Sequence, residues 1–277
     1  MASRVTGAIF RAFIVAALVL APSMLVPGLS VDAQQTVALV ALFAAALTYV
    51  EYNADAPGLV EFRDAPPFNR TRFALLAVTV FALTLIERGR DLPSTLTDLI
   101  TAVGMLIGQA MDFPYSPVRL ATEALADTAS ATEIAALRTA AGTAYLTTLL
   151  ALFVFSFLMR RTWPRPGRTF NVWVNLPTFD PTSVSDIVAR LERDARINIS
   201  LGFLLPFLLP AVAHLTMGGL DPAVVTAPHT LIWITAAWAF FPASLFMRGI
   251  AMLRLAQMIR EKRRANSALA EAGAQLA

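Results

Sequence analysis

Two apolar runs, Ile199 to Met217 and His229 to Met252, stand a short turn apart and are followed by a basic cluster. Each has about the length a helix needs to cross a bilayer core of roughly 30 Å at about 1.5 Å per residue. The turn contains Gly218, Gly219, Leu220, Asp221 and Pro222; the cluster contains Arg254, Arg260, Lys262, Arg263 and Arg264. This is the pattern of a transmembrane helical hairpin whose chain end is held in the cytoplasm. In lipid every backbone N–H and C=O must find a partner within a helix or a closed barrel. The short alternating segments of a membrane barrel are missing, so the expected fold is all-α and polytopic.

The chain as a whole fits that medium. It is 57% hydrophobic and 15% charged, with a mean hydropathy of +0.63, whereas soluble domains are about one quarter charged. Without cysteine, disulfides, iron–sulfur clusters and zinc–thiolate sites are excluded. All but Lys262 of the 22 basic residues are arginine, a usage that, with abundant alanine, points to a bacterial source. The basic residues gather at the ends of apolar runs, which suits membrane threading and argues against a nucleic-acid partner.

Residues 1–87 are expected to hold three spans. Arg4 and Arg11 precede the first, Ala12 to Val26. Val31-Asp32-Ala33 resembles a signal-peptide cleavage site, but a second apolar run follows at once, so we expect a retained helix that ends at Pro27-Gly28. The second run, Gln35 to Val50, carries Ala38, Ala41 and Ala45 on one face, small enough for close helix packing. Glu51 to Arg72, with its prolines and Gly58, is expected to be a solvated loop. The third run, Phe73 to Ile86, is short, and Arg72 and Glu87-Arg88 are expected to snorkel outward from it.

Residues 88–138 are expected outside the cytoplasm, with interfacial or re-entrant helices. Leu96 to Met111 is of this kind and contains Gly104 and Gly108 in GxxxG spacing. Val118 to Ala126 and Ala131 to Arg138 are expected to be short amphipathic helices. A span follows over 139–161, ending in Arg160, Arg161, Arg165 and Arg168. The loop 162–198 should carry an extended piece, Phe170 to Phe179. An amphipathic helix then starts at Asp180-Pro181 with Val184, Ile187, Val188, Leu191 and Ala195 on one face. The hairpin 199–252 and a basic cytoplasmic tail helix, 253–277, complete one integral membrane domain. The tail repeats apolar positions at Leu255, Ile259, Leu269 and Leu276.

Arginine placement predicts six spans with both termini in the cytoplasm of a bacterial inner membrane; a crossing by Leu96 to Met111 would make seven. The histidines, His214 and His229, suit a planar cofactor or a metal in principle, but a lone imidazole at a helix end more often makes an ordinary hydrogen bond. Asp98 and Asp112 are the carboxylates nearest to a transport pathway, and Glu123 and Asp127 complete the acidic group that an enzyme would draw on. The sequence carries no metal-ligand pair, nucleophile elbow or phosphate loop, so no catalytic, cofactor or metal residue is assigned. The expected function is that of a non-enzymatic accessory, scaffolding or assembly subunit, with the lipid bilayer and other membrane subunits as its partners. Ala- and Gly-rich spans and a lack of membrane-buried charge motivate that expectation. The alternative is a small-solute or ion transporter built on the proline-broken hairpin, where Pro206, Pro210 and Pro242 interrupt the arms.

Overall fold

The computed structural model describes residues 2–63, 65–163, 175–176, 186–216 and 222–275. Arg165, Arg168, Phe170 to Val174, the Asp180-Pro181 helix start, Val184, the turn Met217 to Asp221 and Leu276 lie outside these residues. Among the described residues the fold is all-α. The helices are α1 (Ala2–Leu25), α2 (Val31–Asn53), α3 (Pro66–Asp91), α4 (Thr95–Met111) and α5 (Pro117–Glu123). They continue as α6 (Ala131–Thr162), α7 (Ile187–Thr216), α8 (Pro222–Val225) and α9 (Pro228–Gln275). Five of them, α1, α2, α6, α7 and α9, are long and apolar enough to cross a membrane.

Local chemistry explains where helices begin. The Ser30 hydroxyl accepts from the Ala33 N–H and opens α2. Ser94 with Thr97 and Ser130 with Glu133 form reciprocal caps on α4 and α6. Gly28, at φ 97°, makes the turn between α1 and α2, where Pro27-Gly28 was expected to end the first helix. Pro66 and Pro67 occupy the opening positions of α3, where a missing N–H costs nothing.

That last start corrects the sequence expectation. The third helix begins at Pro66, not Phe73, and its 26 residues span about 39 Å. Residues Pro66 to Arg72, expected in a loop, are helical. Two other expected breaks are absent. Ala131 to Arg138 and Thr139 to Met159 form a single helix of 32 residues. Likewise, Ile187 to Thr216 runs unbroken past residue 198. No glycine or proline stands at either junction, so helical hydrogen bonding continues.

The long helices α1, α2, α3, α6, α7 and α9 alternate in direction. One end of the bundle, the arginine end, is tied by Arg4 to Asp55 at 2.7 Å, Arg248 to Glu61 at 2.6 Å, and Arg260 to Glu192. At the opposite end Arg88 donates to the Leu25 carbonyl at 2.5 Å and Thr226 to Glu133 at 3.1 Å. An apolar cluster sits at each level, one around Phe68, Phe155 and Met247, the other around Leu18, Leu83 and Ile232.

Close approach fixes two helix crossings. A Cβ on Gly142 would lie 2.5 Å from the Gly108 Cα, and one on Gly108 would meet the Arg138 carbonyl at 2.9 Å. The GxxxG of α4 thus seats α4 on α6. On α7, a Cβ at Gly202 would lie 2.7 Å from both the Pro242 carbonyl oxygen and the Phe246 nitrogen of α9. Neither backbone crossing leaves room for a larger residue.

Candidate functional site

The connector, described over 54–63, is only partly the solvated loop expected: Asp55 and Leu59 are exposed, but Phe62 is buried and the chain folds against the arginine end. Glu51, at the end of α2, accepts hydrogen bonds from the backbone N–H groups of Gly58, Leu59 and Val60 at 3.3, 2.8 and 3.0 Å. One carboxylate therefore satisfies three donors and curls the chain around itself. Arg63 closes the loop by donating to the carbonyls of Ala54 and Asp55. Phe62 takes φ 51°, a left-handed conformation that a bulky side chain rarely adopts. Burial holds it there: its ring is fully enclosed, 4.7 Å from the Phe68 ring.

This loop presents Glu61 to α9. Arg248 donates to both carboxylate oxygens, Nε to Oε2 at 2.6 Å and Nη2 to Oε1 at 2.9 Å. Its Nη1 donates to the Asn198 side-chain oxygen on α7 at 3.2 Å. The pair is largely enclosed, with side chains 13% and 28% exposed. A two-pronged contact of this kind combines charge with fixed geometry. Arg72 lies beside it, its guanidinium 5.1 Å from the Phe68 ring centroid and 5.6 Å from that of Phe240. Its Nε donates to the Ser244 hydroxyl at 3.3 Å. Glu61, Arg72, Ser244 and Arg248 line a cavity of about 240 Å³, which carries two guanidinium groups against one carboxylate. Such a cavity can hold a small polar or anionic group.

Charge is therefore enclosed within the protein. Glu87, expected to snorkel outward, is only 2% exposed and pairs with Arg90 at 2.8 Å. Arg72 packs inward between rings. Arg248 reaches across to Glu61. The signal that was overlooked is the Pro66-Pro67 doublet: taken as a helix start, it places Arg72 inside α3 and facing its neighbours.

The sequence candidates are scattered. His214 is exposed on α7, and His229 lies half-buried at the start of α9 against the Pro22–Val26 backbone. Asp98, Glu123 and Asp127 are exposed. Asp112 is neutralised by Arg119 at 2.5 Å and Arg138 at 2.6 Å. Among the described residues no three His, Asp or Glu side chains converge as metal ligands.

The prolines expected to interrupt the hairpin do not: α7 runs through Pro206 and Pro210 and α9 through Pro242, and one of the missing hydrogen bonds is replaced. Pro210 supplies no N–H to the Pro206 carbonyl, and Trp238 Nε1 on α9 donates to that oxygen at 3.2 Å. Beside it, Leu125, Leu137, Pro210, Ile234 and Trp238 contribute to an apolar cavity of about 350 Å³ that no charged side chain lines. Compared with known proteins, the chain matches no protein family, no curated protein and no solved structure.

Proposed function

We propose that this is a bacterial inner-membrane protein that works by contact, as a non-enzymatic accessory, scaffolding or assembly subunit of a larger membrane complex. In this proposal α3 joins the five apolar helices as a sixth span, and the arginine end faces the cytoplasm with both termini. The observation that carries the reading is α2. It packs along α1 and, among the described residues, has no other extensive helix neighbour. Leu39, Leu42 and Phe43 on it are 68%, 67% and 70% exposed. A span held by a single neighbour at the edge of a bundle leaves most of its surface for lipid or another subunit, and its alanines permit a second close helix.

Gentle extraction from the native membrane, with a photo-crosslinking residue in place of Leu42, tests this. The expected result is a stoichiometric partner crosslinked through α2. A protein that purifies alone and crosslinks only to lipid overturns it.

A second reading, a small-solute or ion transporter, draws on one observation, the charged cavity at Glu61, Arg72 and Arg248. Its sequence candidates Asp98 and Asp112 give it no support, since one is exposed and the other paired. Solute flux in liposomes that Arg248→Gln abolishes is the result that favours it.

A further inference from the structure

A second cavity at the arginine end, of about 380 Å³, opens between α1, α2 and α3. It is lined by Arg11, Arg63 and Arg70 together with the apolar Ile14, Val15 and Phe73. No acidic side chain lines it among the described residues. We infer that this cavity binds the phosphoryl anion of an amphiphile, an anionic phospholipid headgroup at the cytoplasmic or equivalent membrane face, with the start of its tail against the apolar lining.

Among the described residues Arg11, Arg63 and Arg70 form no salt bridge, although Arg63 feels the Glu51 and Asp55 carboxylates at longer range. Arg11 donates to the Gly7 carbonyl at 2.7 Å and lies 4.7 Å from the Tyr52 ring centroid. Arg63 is fixed by the carbonyls of Ala54 and Asp55. These partners are neutral, so they position each guanidinium without cancelling its charge. Arg70 is exposed and, among the described residues, has no hydrogen-bond or ion-pair partner. Among the described residues, Glu51 is engaged by three backbone N–H groups and Asp55 by Arg4. Guanidinium forks match phosphate oxygens in pairs, and preset donors lower the cost of binding. Basic pockets between transmembrane helices are suited to anionic headgroups. The apolar lining distinguishes an amphiphile from free phosphate, which gains nothing from Ile14 or Phe73.

The test uses the full chain in an uncharged detergent, offered equal phosphatidylglycerol and phosphatidylcholine and read by native mass spectrometry. Phosphatidylglycerol is expected to be retained about tenfold more than phosphatidylcholine. Arg11→Gln and Arg70→Gln should each lower that retention severalfold and leave phosphatidylcholine unchanged, and Arg11→Lys should restore part of it. Arg70 is exposed, so its replacement does not put folding at risk. Equal retention of the two lipids, or full retention by Arg70→Gln, overturns the site. Displacement of the lipid by millimolar inorganic phosphate overturns the amphiphile and assigns the cavity to a free anion.

Discussion

Helices α2 and α3 reverse the arrangement of a soluble protein. The apolar stretch of α2 has a mean hydropathy of 1.5, yet only 6% of it is buried inside the protein. In contrast, α3 carries Arg70, Arg72, Glu87, Arg88, Arg90 and Asp91, and Leu75, Val80, Leu83 and Glu87 on it are buried among α1, α4, α6 and α9. The more polar helix is inside. In water this would waste the hydrophobic effect. In lipid, leucine gains little by leaving the solvent, whereas a charge gains much by finding a protein partner. The difference teaches that burial here follows a helix's place in the packing, not its mean hydropathy.

The largest test of that contrast is to strand a charge in the interior. Arg248→Met removes the two-pronged contact and leaves the enclosed Glu61 with the more distant Arg72 beside it, which should cost about 3 kcal/mol. Adding Glu61→Gln should recover little of that loss, because Arg72 then lacks its carboxylate. Reversible unfolding in mixed micelles measures both. A single variant that costs no more than an exposed pair, roughly 1 kcal/mol or less, breaks the claim that an enclosed charge gains much from its protein partner.

The same substitution on the two helices sharpens it further. Leu83 on α3 is 1% exposed and Leu42 on α2 is 67% exposed. Leu83→Ala opens a void in packed protein and should cost about 2 kcal/mol or more. Leu42→Ala exchanges protein–lipid contact for lipid that flows in, and should stay within about 0.5 kcal/mol. The same micelle unfolding compares them. Equal losses would mean that α2 has a hidden protein neighbour, or that α3 is looser than its packing indicates.

This logic also explains what the sequence could reveal. Hydropathy reports which residues tolerate lipid, so the runs at Ala12, Gln35, Thr139, Ile199 and His229 were legible as helices. The Gly104–Gly108 spacing correctly pointed to a close crossing, although its partner Gly142 carried no recognisable motif. What was illegible is polar and long-range. Glu61 and Arg248 are 187 positions apart, and each alone looks like a loop acid or a snorkelling base. Arg72 and Glu87 were read as the edges of a span because a charge beside an apolar run usually marks the water boundary. Both lie within α3: Arg72 reaches Ser244 on α9, and Glu87 is buried and paired with Arg90 one turn along its own helix.

The smallest expected effect lies at the edge of the bundle, where Arg4 on α1 meets Asp55 after α2 at 2.7 Å. Asp55 is fully exposed, and the hydrogen bond and charge of Arg4 hold its carboxyl below the usual carboxylate range. A lowered folded value means that the ionised form is favoured by folding. Its contribution is present at pH above the unfolded value, about 4 for aspartate, and is lost as pH falls through the lowered folded value. Water and salt screen a pair this open. Asp55→Asn should therefore produce a barely resolved fall in melting temperature at neutral pH. That difference should shrink with added salt and vanish in acid, as wild type and variant become equally uncharged there. A large, salt-insensitive loss would show that the α1–α2 edge is shielded from water at this end, and the division between a solvated rim and a protein-satisfied interior would have to be redrawn one helix further out.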